Sequence, residues 1–490
     1  MRRAYQIRGC FDSQKVNIAT DNADPLKMVA VGDVIAPGQY RAYPQRWYVL
    51  GTACLLMLSN ATIWISCSPI SSVTDEFYCP QNGSRHEAGS ERCDVSYWTA
   101  QIFQIVGVAT GILGMYVTDT YGIKTSCIVS SACNFLGILI RLASTLPFFA
   151  SYSPLLLHYT GQTIAAFAQP FLLCLPPKVA QFWFPESQRT LANAIAFISN
   201  PIGVIIGSLT PAVIVHGSNL SQELIVMNSG LTALAAAIFL MSLLIRGGRP
   251  PTPPSPSTES VLSPPFFEGL CLLFKNRAFY VQMITATSGF AIIFSIFLAG
   301  DRMFDELGYP EVNGYGMALG SGVGCVGALF GGFFVDRTKK FSEVIKLSYL
   351  GTALSVLGIT LFFRFQQYSQ FNLVLIMLLI TLINFFSSPT WPVSLELGVE
   401  TTFPVAEATS AGVLVTCGQL FLFVLGYSMK GVAALGSTSS NNPYQAAVDL
   451  WCLVTFAVTI FTFIFLHPRH KRLEFEQKEL QRKAEMSAKF

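Results

Sequence analysis

The sequence predicts an all-α membrane protein with twelve transmembrane helices, arranged as two six-helix pseudo-repeat lobes. Three observations support this prediction. The 490 residues are 52% hydrophobic and only 12% charged, whereas an ordinary soluble domain carries about 25% charge. Twelve apolar stretches each approach the ~20 residues that a helix needs to cross the hydrocarbon. A short charged motif also occurs twice, almost half a chain apart.

The apolar stretches define spans 1 to 12, and this numbering is kept below. In the first half they cover about 47–70, 97–118, 125–146, 153–175, 190–215 and 223–245. In the second half they cover about 279–300, 314–335, 344–364, 371–394, 408–428 and 446–467. Spans 4, 5 and 10 contain internal prolines and polar residues, so their ends are the least sharply defined. Helices are expected because lipid offers no water to pair the backbone of an isolated span.

The repeated motif follows span 2 and occurs again after span 8. The copies read Gly114-Met-Tyr-Val-Thr-Asp119-Thr-Tyr-Gly122-Ile-Lys124 and Gly332-Phe-Phe-Val-Asp336-Arg337-Thr-Lys339-Lys340. The aspartate can cap the next helix, and Gly122 can provide a turn with positive φ. We expect Asp119, Lys124, Asp336 and Arg337 to latch the two lobes. The alternative is a turn that only sets topology.

Charge and composition divide the chain into five regions. They are a cytosolic N-terminal tail (1–45), a first lobe (46–245), a cytosolic Pro/Ser-rich linker (246–277), a second lobe (278–467) and a cytosolic C-terminal tail (468–490). Both termini are placed in the cytosol because this orientation puts most lysines and arginines on the inner side. The linker prolines predict an extended segment. The plasma membrane and the endolysosomal membrane both remain open.

Several further features concern partners and modification. The net charge of +3 predicts no nucleic-acid partner, and no cofactor or metal site is expected. A monomer in the bilayer is favoured. Asn82 and Asn219 lie in predicted outer loops within glycosylation sequons. Cys79 and Cys93 share one polar loop, where either a disulfide or two free thiols are compatible with the sequence.

Polar residues at membrane depth are the candidates for a solute site. No Asp, Glu or Lys lies near the centre of a span, which favours facilitated diffusion over proton coupling. Aromatic faces and amides remain at depth, and this combination suits a quaternary ammonium group. The alternative is that these side chains only pack and bond neighbouring helices. Glu396 and Glu400, four residues apart near the inner end of span 10, are expected to meet cations when an inner gate shuts.

Longer motifs carry a family resemblance over about residues 45–470. They are Arg46-Trp47, Asn60-Ala-Thr-Ile-Trp64, Ser68-Pro-Ile, Phe182-Trp-Phe-Pro-Glu186-Ser-Gln-Arg189-Thr-Leu-Ala-Asn193, Ser199-Asn-Pro-Ile-Gly203, Val335-Asp-Arg-Thr-Lys-Lys-Phe-Ser-Glu343 and Leu395-Glu-Leu-Gly-Val-Glu400-Thr-Thr-Phe-Pro404-Val-Ala-Glu407. Together they resemble solute carrier family 49, the feline leukaemia virus subgroup C receptor-related family of the major facilitator superfamily. The Pro-Pro-Thr-Pro-Pro linker resembles that of the major facilitator superfamily domain-containing 7 type.

The resemblance implies a set of substrate-binding residues. Its better-known members are choline and ethanolamine carriers, also described as haem exporters, whose cavity uses a Trp in helix 1, a Tyr in helix 7 and a Gln in helices 5 and 11. Trp64 and Gln419 match this pattern. Phe294 stands at the helix 7 position without the hydroxyl, and Pro201, with Asn200 beside it, stands at the helix 5 position.

These observations predict a facilitative carrier that works by alternating access on a small organic solute, with a choline-like cation as the candidate. A haem or porphyrin exporter is the alternative. Haem would need an axial ligand, and His158 is the one histidine in the interior of a span. A transport-inactive receptor or scaffold is the alternative of another class. An enzyme is not expected, because no nucleophile, base or metal set converges in the sequence.

Overall fold

The fold is known from a computed structural model. It describes residues 41–79, 94–149, 153–217, 219–252, 264–365, 370–403, 407–436 and 444–468, together with the single residues Pro254, Val405, Lys471 and Glu474. Within these residues the secondary structure is helical and no strand occurs. Most of both predicted tails, with the loop that holds Asn82 and Cys93, lies outside the described residues.

The helices of the first half form spans 1 to 6. They are Gln45–Ile65, Ser71–Tyr78, Val95–Ala143, Pro154–Ala166, Gln169–Leu172, Leu175–Trp183, Glu186–Ile214 and Leu220–Leu243, with 3-10 turns at Ser68–Ile70 and Pro147–Phe149. The second half begins with a helix at Phe266–Lys275 and continues with spans 7 to 12. These are Arg277–Glu306, Val312–Gly316 with Met317–Thr338, Phe341–Phe365, Gln370–Ser387 with Thr390–Thr402, Glu407–Gly436 and Gln445–Phe465.

Eleven helical stretches of the described chain are long and apolar enough to cross a membrane. One of them, Val95–Ala143, has 49 residues and bends at Gly122. At 1.5 Å per residue it measures about 74 Å, more than twice the ~30 Å hydrocarbon thickness, so it forms both span 2 and span 3. The predicted all-α architecture of twelve spans is therefore confirmed.

The two copies of the charged motif form turns with the same register. Gly122 has φ +83° and Lys339 has φ +56°, and these two residues are separated by the same 217 positions as Asp119 and Asp336. The positive φ predicted for Gly122 is confirmed. Asp119 does not cap the next helix, because its two carboxylate oxygens accept hydrogen bonds from Lys178 and Thr409 instead.

Three spans are longer than the hydropathy pattern predicts, because each continues beyond a break. Span 1 breaks after Ile65 and resumes at Ser71–Tyr78. Span 4 continues through two short helices to Trp183, and span 10 continues to Thr402. Prolines and hydroxyl residues at the breaks lower the local hydropathy and interrupt backbone hydrogen bonding. Within the predicted 246–277 linker, Phe266–Lys275 forms a helix that follows the proline-rich residues.

Small residues bring the helices of the first lobe into close contact, as is common in membrane proteins. A Cβ at Gly203 of span 5 would lie 2.9 Å from Ala61, and a Cβ at Gly207 would lie 2.9 Å from the Thr62 carbonyl. Trp64 lies on another face of span 1, where it contacts Phe294 of the second lobe. The packing of spans 1 and 5 therefore fixes the height of Trp64 in the bundle.

The matched turns allow a test of backbone strain. A Cβ at Gly122 meets nothing within 4 Å, so Gly122→Ala tests conformation alone. Its φ of +83° with ψ of −176° is a conformation open essentially to glycine, so we expect the variant to lower stability by about 1–3 kcal/mol. Lys339 has φ +56° and ψ +20°, in the left-handed helical region, so Lys339→Gly relieves a milder strain and should raise stability by up to about 1 kcal/mol. Thermal unfolding of the purified protein in detergent measures both effects. Equal melting temperatures for all three chains would contradict the positive φ at these turns.

Candidate functional site at the lobe interface

Spans 2 and 11 run antiparallel across the boundary between the lobes. Glycines on both helices permit this approach, since a Cβ at any of them would meet a side chain of the facing helix. The facing pairs are Gly107 with Gln419, Gly111 with Thr416, Gly412 with Met115, and Gly426 with Gln101. As residue numbers rise along span 2 they fall along span 11. The two lobes are therefore in contact through the middle of the molecule.

A small cavity lies where these helices are closest to the centre. Its volume is about 10 Å³, and its lining includes Gly107, Gln169, Thr416 and Gln419. A volume of this size holds about one water molecule, whereas ligand pockets usually measure ~300–1,000 Å³. The structure is therefore closed at this place, and the lobes must separate before the lining residues can surround a solute.

Unpaired amide atoms face this cavity. Gln419 is 1% exposed, and within the described residues neither its Oε1 nor its Nε2 has a hydrogen-bond partner. Gln169 Oε1 likewise lacks a partner, and a Cβ at Gly107 would lie 3.4 Å from both glutamine side chains. A buried polar group without a partner costs about 1–3 kcal/mol. These amides are therefore available to a group that enters the cavity.

Four aromatic side chains form a cluster beside these amides. We call Trp64, Phe290, Phe294 and Trp391 the aromatic cluster. Trp64 and Phe294 meet edge to face across the lobes, with ring centroids 5.6 Å apart. Phe290 lies 4.7 Å from both Phe294 and Trp391, and its ring would contact a Cβ placed at Gly418. The aromatic cluster therefore meets span 11 at Gly418, the residue before Gln419.

Three of the four predicted substrate-binding residues meet here, and Asn200 does not. Asn200 is half-buried in span 5, one turn before Gly203, on the side that packs against span 1. This position lies about two helical turns from Trp64 along the bundle. Phe290 was not identifiable from the sequence, because one phenylalanine among 39 carries no distinguishing signal.

An ion pair joins the lobes at one end of spans 2 and 11, which we call the Asp94 end. Asp94 immediately precedes span 2, and its Oδ2 lies 2.6 Å from Lys430 Nζ of span 11. The ammonium group also lies over the Tyr97 and Trp98 rings, 4.5 and 5.2 Å from their centroids. Because Lys430 is partly exposed, each ring contact adds about 0.5–1 kcal/mol. The sequence contains no motif that pairs these two residues.

The opposite end, which we call the Asp119 end, holds part of the predicted gate. Asp119 Oδ1 accepts a hydrogen bond from Lys178 Nζ of span 4 at 2.9 Å, and Lys178 also donates to the Thr118 carbonyl. Asp119 Oδ2 accepts from Thr409 Oγ1 of span 11 at 3.3 Å. The aspartate therefore contacts both lobes. Its charged partner, Lys178, belongs to the same lobe.

Two further predicted gate residues, Lys124 and Arg337, show no comparable contact with the other lobe among the described residues. Lys124 is half-buried beside the bend, and Arg337 lies exposed with its guanidinium 4.5 Å from the Phe333 ring of its own helix. The Asp336 side chain lies outside the described part of the structure. Glu396 is exposed and Glu400 is buried at 8% exposure, both on Thr390–Thr402.

Only some of the predicted modification sites lie within the described residues. Cys79 is disulfide-bonded, whereas Cys93 lies outside the described residues, so their pairing stays a prediction. Asn219 is exposed at the start of span 6, where a glycan could be attached, and Asn82 is outside the described residues. The described residues contain no group of three or more His, Cys, Asp or Glu side chains that could hold a metal ion.

Known proteins match the whole of this architecture. The family model of the Major Facilitator Superfamily matches residues 52–427. Solute carrier family 49 member A3 of Xenopus tropicalis is 33% identical over 464 residues, covering 90% of this chain and 92% of that protein. The choline/ethanolamine transporter FLVCR1 of Felis catus is 27% identical over 441 residues, covering 85% of this chain and 72% of that protein.

A solved structure agrees on the fold. The crystal structure of a D-xylose–proton symporter matches with a TM-score of 0.67 at 15% identity, covering 87% of this chain and 99% of that one. At this identity the likeness shows the fold alone. The family model and the 33% identical relative together show that the chain belongs to the Major Facilitator Superfamily and, within it, to solute carrier family 49.

Proposed function

We propose that this membrane solute transporter carries a small organic solute, with a choline-like cation as the candidate, by alternating access at the lobe interface. The proposal rests on Gln419, whose buried amide has no hydrogen-bond partner in the described part of the chain and which follows the Gly418 contact with the aromatic cluster. The choline/ethanolamine transporters among its relatives support the choice of solute.

The chemistry of the interface fits an uncompensated cation with a polar end. The faces of the aromatic cluster attract a quaternary ammonium group by ~2 kcal/mol when it is desolvated. Gln419 and Gln169 offer acceptors and a donor to a hydroxyl or amine a few atoms away. No carboxylate occurs among the described residues that line the cavity, which supports facilitated diffusion rather than a proton relay at this point.

The alternative cargo receives less support from the same geometry. Haem would require an axial ligand at the interface. His158 is 1% exposed inside the first lobe, where its Nε2 lies 2.8 Å from Thr99 Oγ1 and its ring packs 4.5 Å from the Tyr78 ring. A transport-inactive receptor is distinguished from a carrier by uptake into vesicles that contain the purified protein.

The orientation and domain limits complete the proposal. Both termini, the 246–277 linker and the Asp119 end face the cytosol, and the Asp94 end faces outward, between lobes 46–245 and 278–467. The protein acts as a monomer without cofactor, nucleic-acid partner or enzymatic activity, in the plasma membrane or the endolysosomal membrane. In the transport cycle the contacts at the Asp94 end and the Asp119 end break alternately.

The proposed site makes a prediction in which binding and stability change in opposite directions. Gln419→Leu removes an unpaired buried amide, so it should raise the melting temperature of the solute-free protein, by the equivalent of about 1–3 kcal/mol. It should also abolish the stabilisation that choline gives. Trp64→Ala should lose the choline effect as well. Thermal unfolding with and without choline measures both quantities.

The matched control is Gln282→Leu, because Gln282 is equally buried but donates to the Ser394 carbonyl at 2.8 Å. This variant should melt at a lower temperature and keep its response to choline. If choline stabilised all four chains by the same amount, the proposed site would be wrong. If choline stabilised none of them, choline would be excluded as the solute.

The proposed outer latch predicts a change in access from the Asp94 end. Gln101 is 0% exposed and faces Gly426 across the interface, so a thiol at Gln101→Cys reports opening there. Lys430→Ala should raise the rate at which a water-soluble maleimide labels this introduced thiol by up to about fivefold. This factor corresponds to the loss of an ion pair worth ~1 kcal/mol. Labelling is counted against the same chains without the introduced thiol.

The control for this experiment breaks an ion pair within one lobe. Arg364 and Asp449 of spans 9 and 12 lie 2.8 Å apart with both side chains exposed. Arg364→Ala should leave the labelling rate at Gln101→Cys unchanged. Equal increases in the Lys430→Ala and Arg364→Ala chains would show that general loosening, rather than a latch between lobes, controls access.

A further inference from the structure

The first lobe contains a buried arginine that the proposed transport cycle does not yet use. Arg141 of span 3 is 1% exposed. Among the described residues no carboxylate lies within ion-pair distance of it, and its Nε has no partner. Burial of a charge without an opposite charge is costly, so a neutral side chain of similar size would be the more stable choice.

The guanidinium group of Arg141 holds the broken end of span 1. Its Nη1 donates to the Ile63 carbonyl at 3.2 Å, and its Nη2 donates to Ser66 Oγ at 2.8 Å. The helix Gln45–Ile65 ends between these two acceptors. The last carbonyls of a helix have no partner within it and carry partial negative charge. Arg141 therefore stabilises the end of this helix as a cation from a neighbouring span.

The same group also reaches the helix that accepts the Trp64 indole. Arg141 Nη1 donates to Gln162 Oε1 at 3.2 Å, and Gln162 Nε2 donates to the Thr99 carbonyl at 3.1 Å. The next residue of span 2, Ala100, accepts the hydrogen bond from Trp64 Nε1 at 3.2 Å. Gln162 is 0% exposed, so this connection is dry.

The position of Trp64 in span 1 and the position of its hydrogen-bond acceptor in span 2 therefore both depend on Arg141. The residue before Trp64 in span 1 is bonded by Arg141 directly, and the residue before its acceptor in span 2 is bonded through Gln162. We propose that Arg141, acting with Gln162, is a positioning residue that fixes the Trp64 ring against Phe294 at the solute site. This inference rests on the proposed function only in assuming that Trp64 contacts the solute.

The geometry explains why arginine occupies this position. The planar guanidinium presents donors in a fixed fork, so a single group bonds span 1 and span 4 at once. A lysine ammonium retains the charge but cannot donate to the acceptors on span 1 and span 4 in one fixed geometry. Arg141→Lys is therefore the informative variant, since it keeps the cation near the helix end and removes the fork.

A spectroscopic test needs no solute. The emission of Trp64 is obtained by subtracting the spectrum of a Trp64→Phe chain from that of the otherwise identical protein, with Arg141 and with Arg141→Lys. We expect the Trp64 emission to shift to longer wavelength in Arg141→Lys, because a ring that has lost its support becomes hydrated. An unchanged difference spectrum would overturn the proposal.

The control variant removes a similar buried polar link between the same two spans. Asn134 of span 3 donates to Ser59 Oγ at 3.1 Å and accepts from Asn60 Nδ2 at 3.0 Å. Asn134→Ala should lower the melting temperature and leave the Trp64 emission unchanged. A shift of equal size in this control would show that any loss of packing moves Trp64, which would also contradict the proposal.

A binding test uses choline as the probe. Arg141→Lys should raise the choline Kd about tenfold, the order of a lost desolvated cation–π contact, and it should have no further effect in a Trp64→Ala chain. Additive losses would mean that Arg141 acts independently of Trp64 and would overturn the positioning role. If Trp64→Ala binds choline as well as the unchanged protein does, the proposed function fails, and the emission test still decides the role of Arg141.

Discussion

The antiparallel contact between spans 2 and 11 keeps the interface between the two lobes closed. Because Gly107, Gly111, Gly412 and Gly426 lack side chains, the two helices approach until the side chains of each fill the surface of the other. The cavity between the lobes is thereby reduced to the size of a water molecule. Lipid provides no hydrophobic drive for this association, so it depends on packing and on the polar contacts at the two ends.

Two polar arrangements at membrane depth reduce stability and are retained nevertheless. Gln419 keeps both amide atoms without a partner, and Arg141 keeps its charge without a carboxylate among the described residues. The first fits a position that a solute occupies for part of the cycle. The second connects spans 1, 3 and 4 around the break after Ile65. In our proposal the first lobe therefore holds Trp64 rigidly while the second lobe moves against it.

The sequence was sufficient for features that depend on local chemistry. Apolar length identified the twelve spans, and the repeated turn identified the shared register of Gly122 and Lys339. The family resemblance placed Trp64 and Phe294 in one candidate site, and their ring centroids lie 5.6 Å apart. The pairs Asp94–Lys430 and Asp119–Lys178 were not identifiable, since partner choice depends on how distant helices cross. The continuation of spans 1, 4 and 10 beyond their breaks was not predicted. Prolines and polar residues lower the local hydropathy there, although the helical chain continues in the same direction.

The two ends of the interface differ in what must be broken to open them. At the Asp119 end the ion pair with Lys178 lies within the first lobe and can persist, whereas the hydrogen bond from Thr409, worth about 1 kcal/mol, crosses the interface. At the Asp94 end the Lys430 side chain is 36% exposed, and such pairs contribute about 0–1 kcal/mol. The contacts of Lys430 with the Tyr97 and Trp98 rings add about 0.5–1 kcal/mol each. Each of these crossing contacts is therefore weak. A carrier that must visit both open states needs weak contacts at both ends. A strong contact at one end would leave the state that is open at that end almost unpopulated.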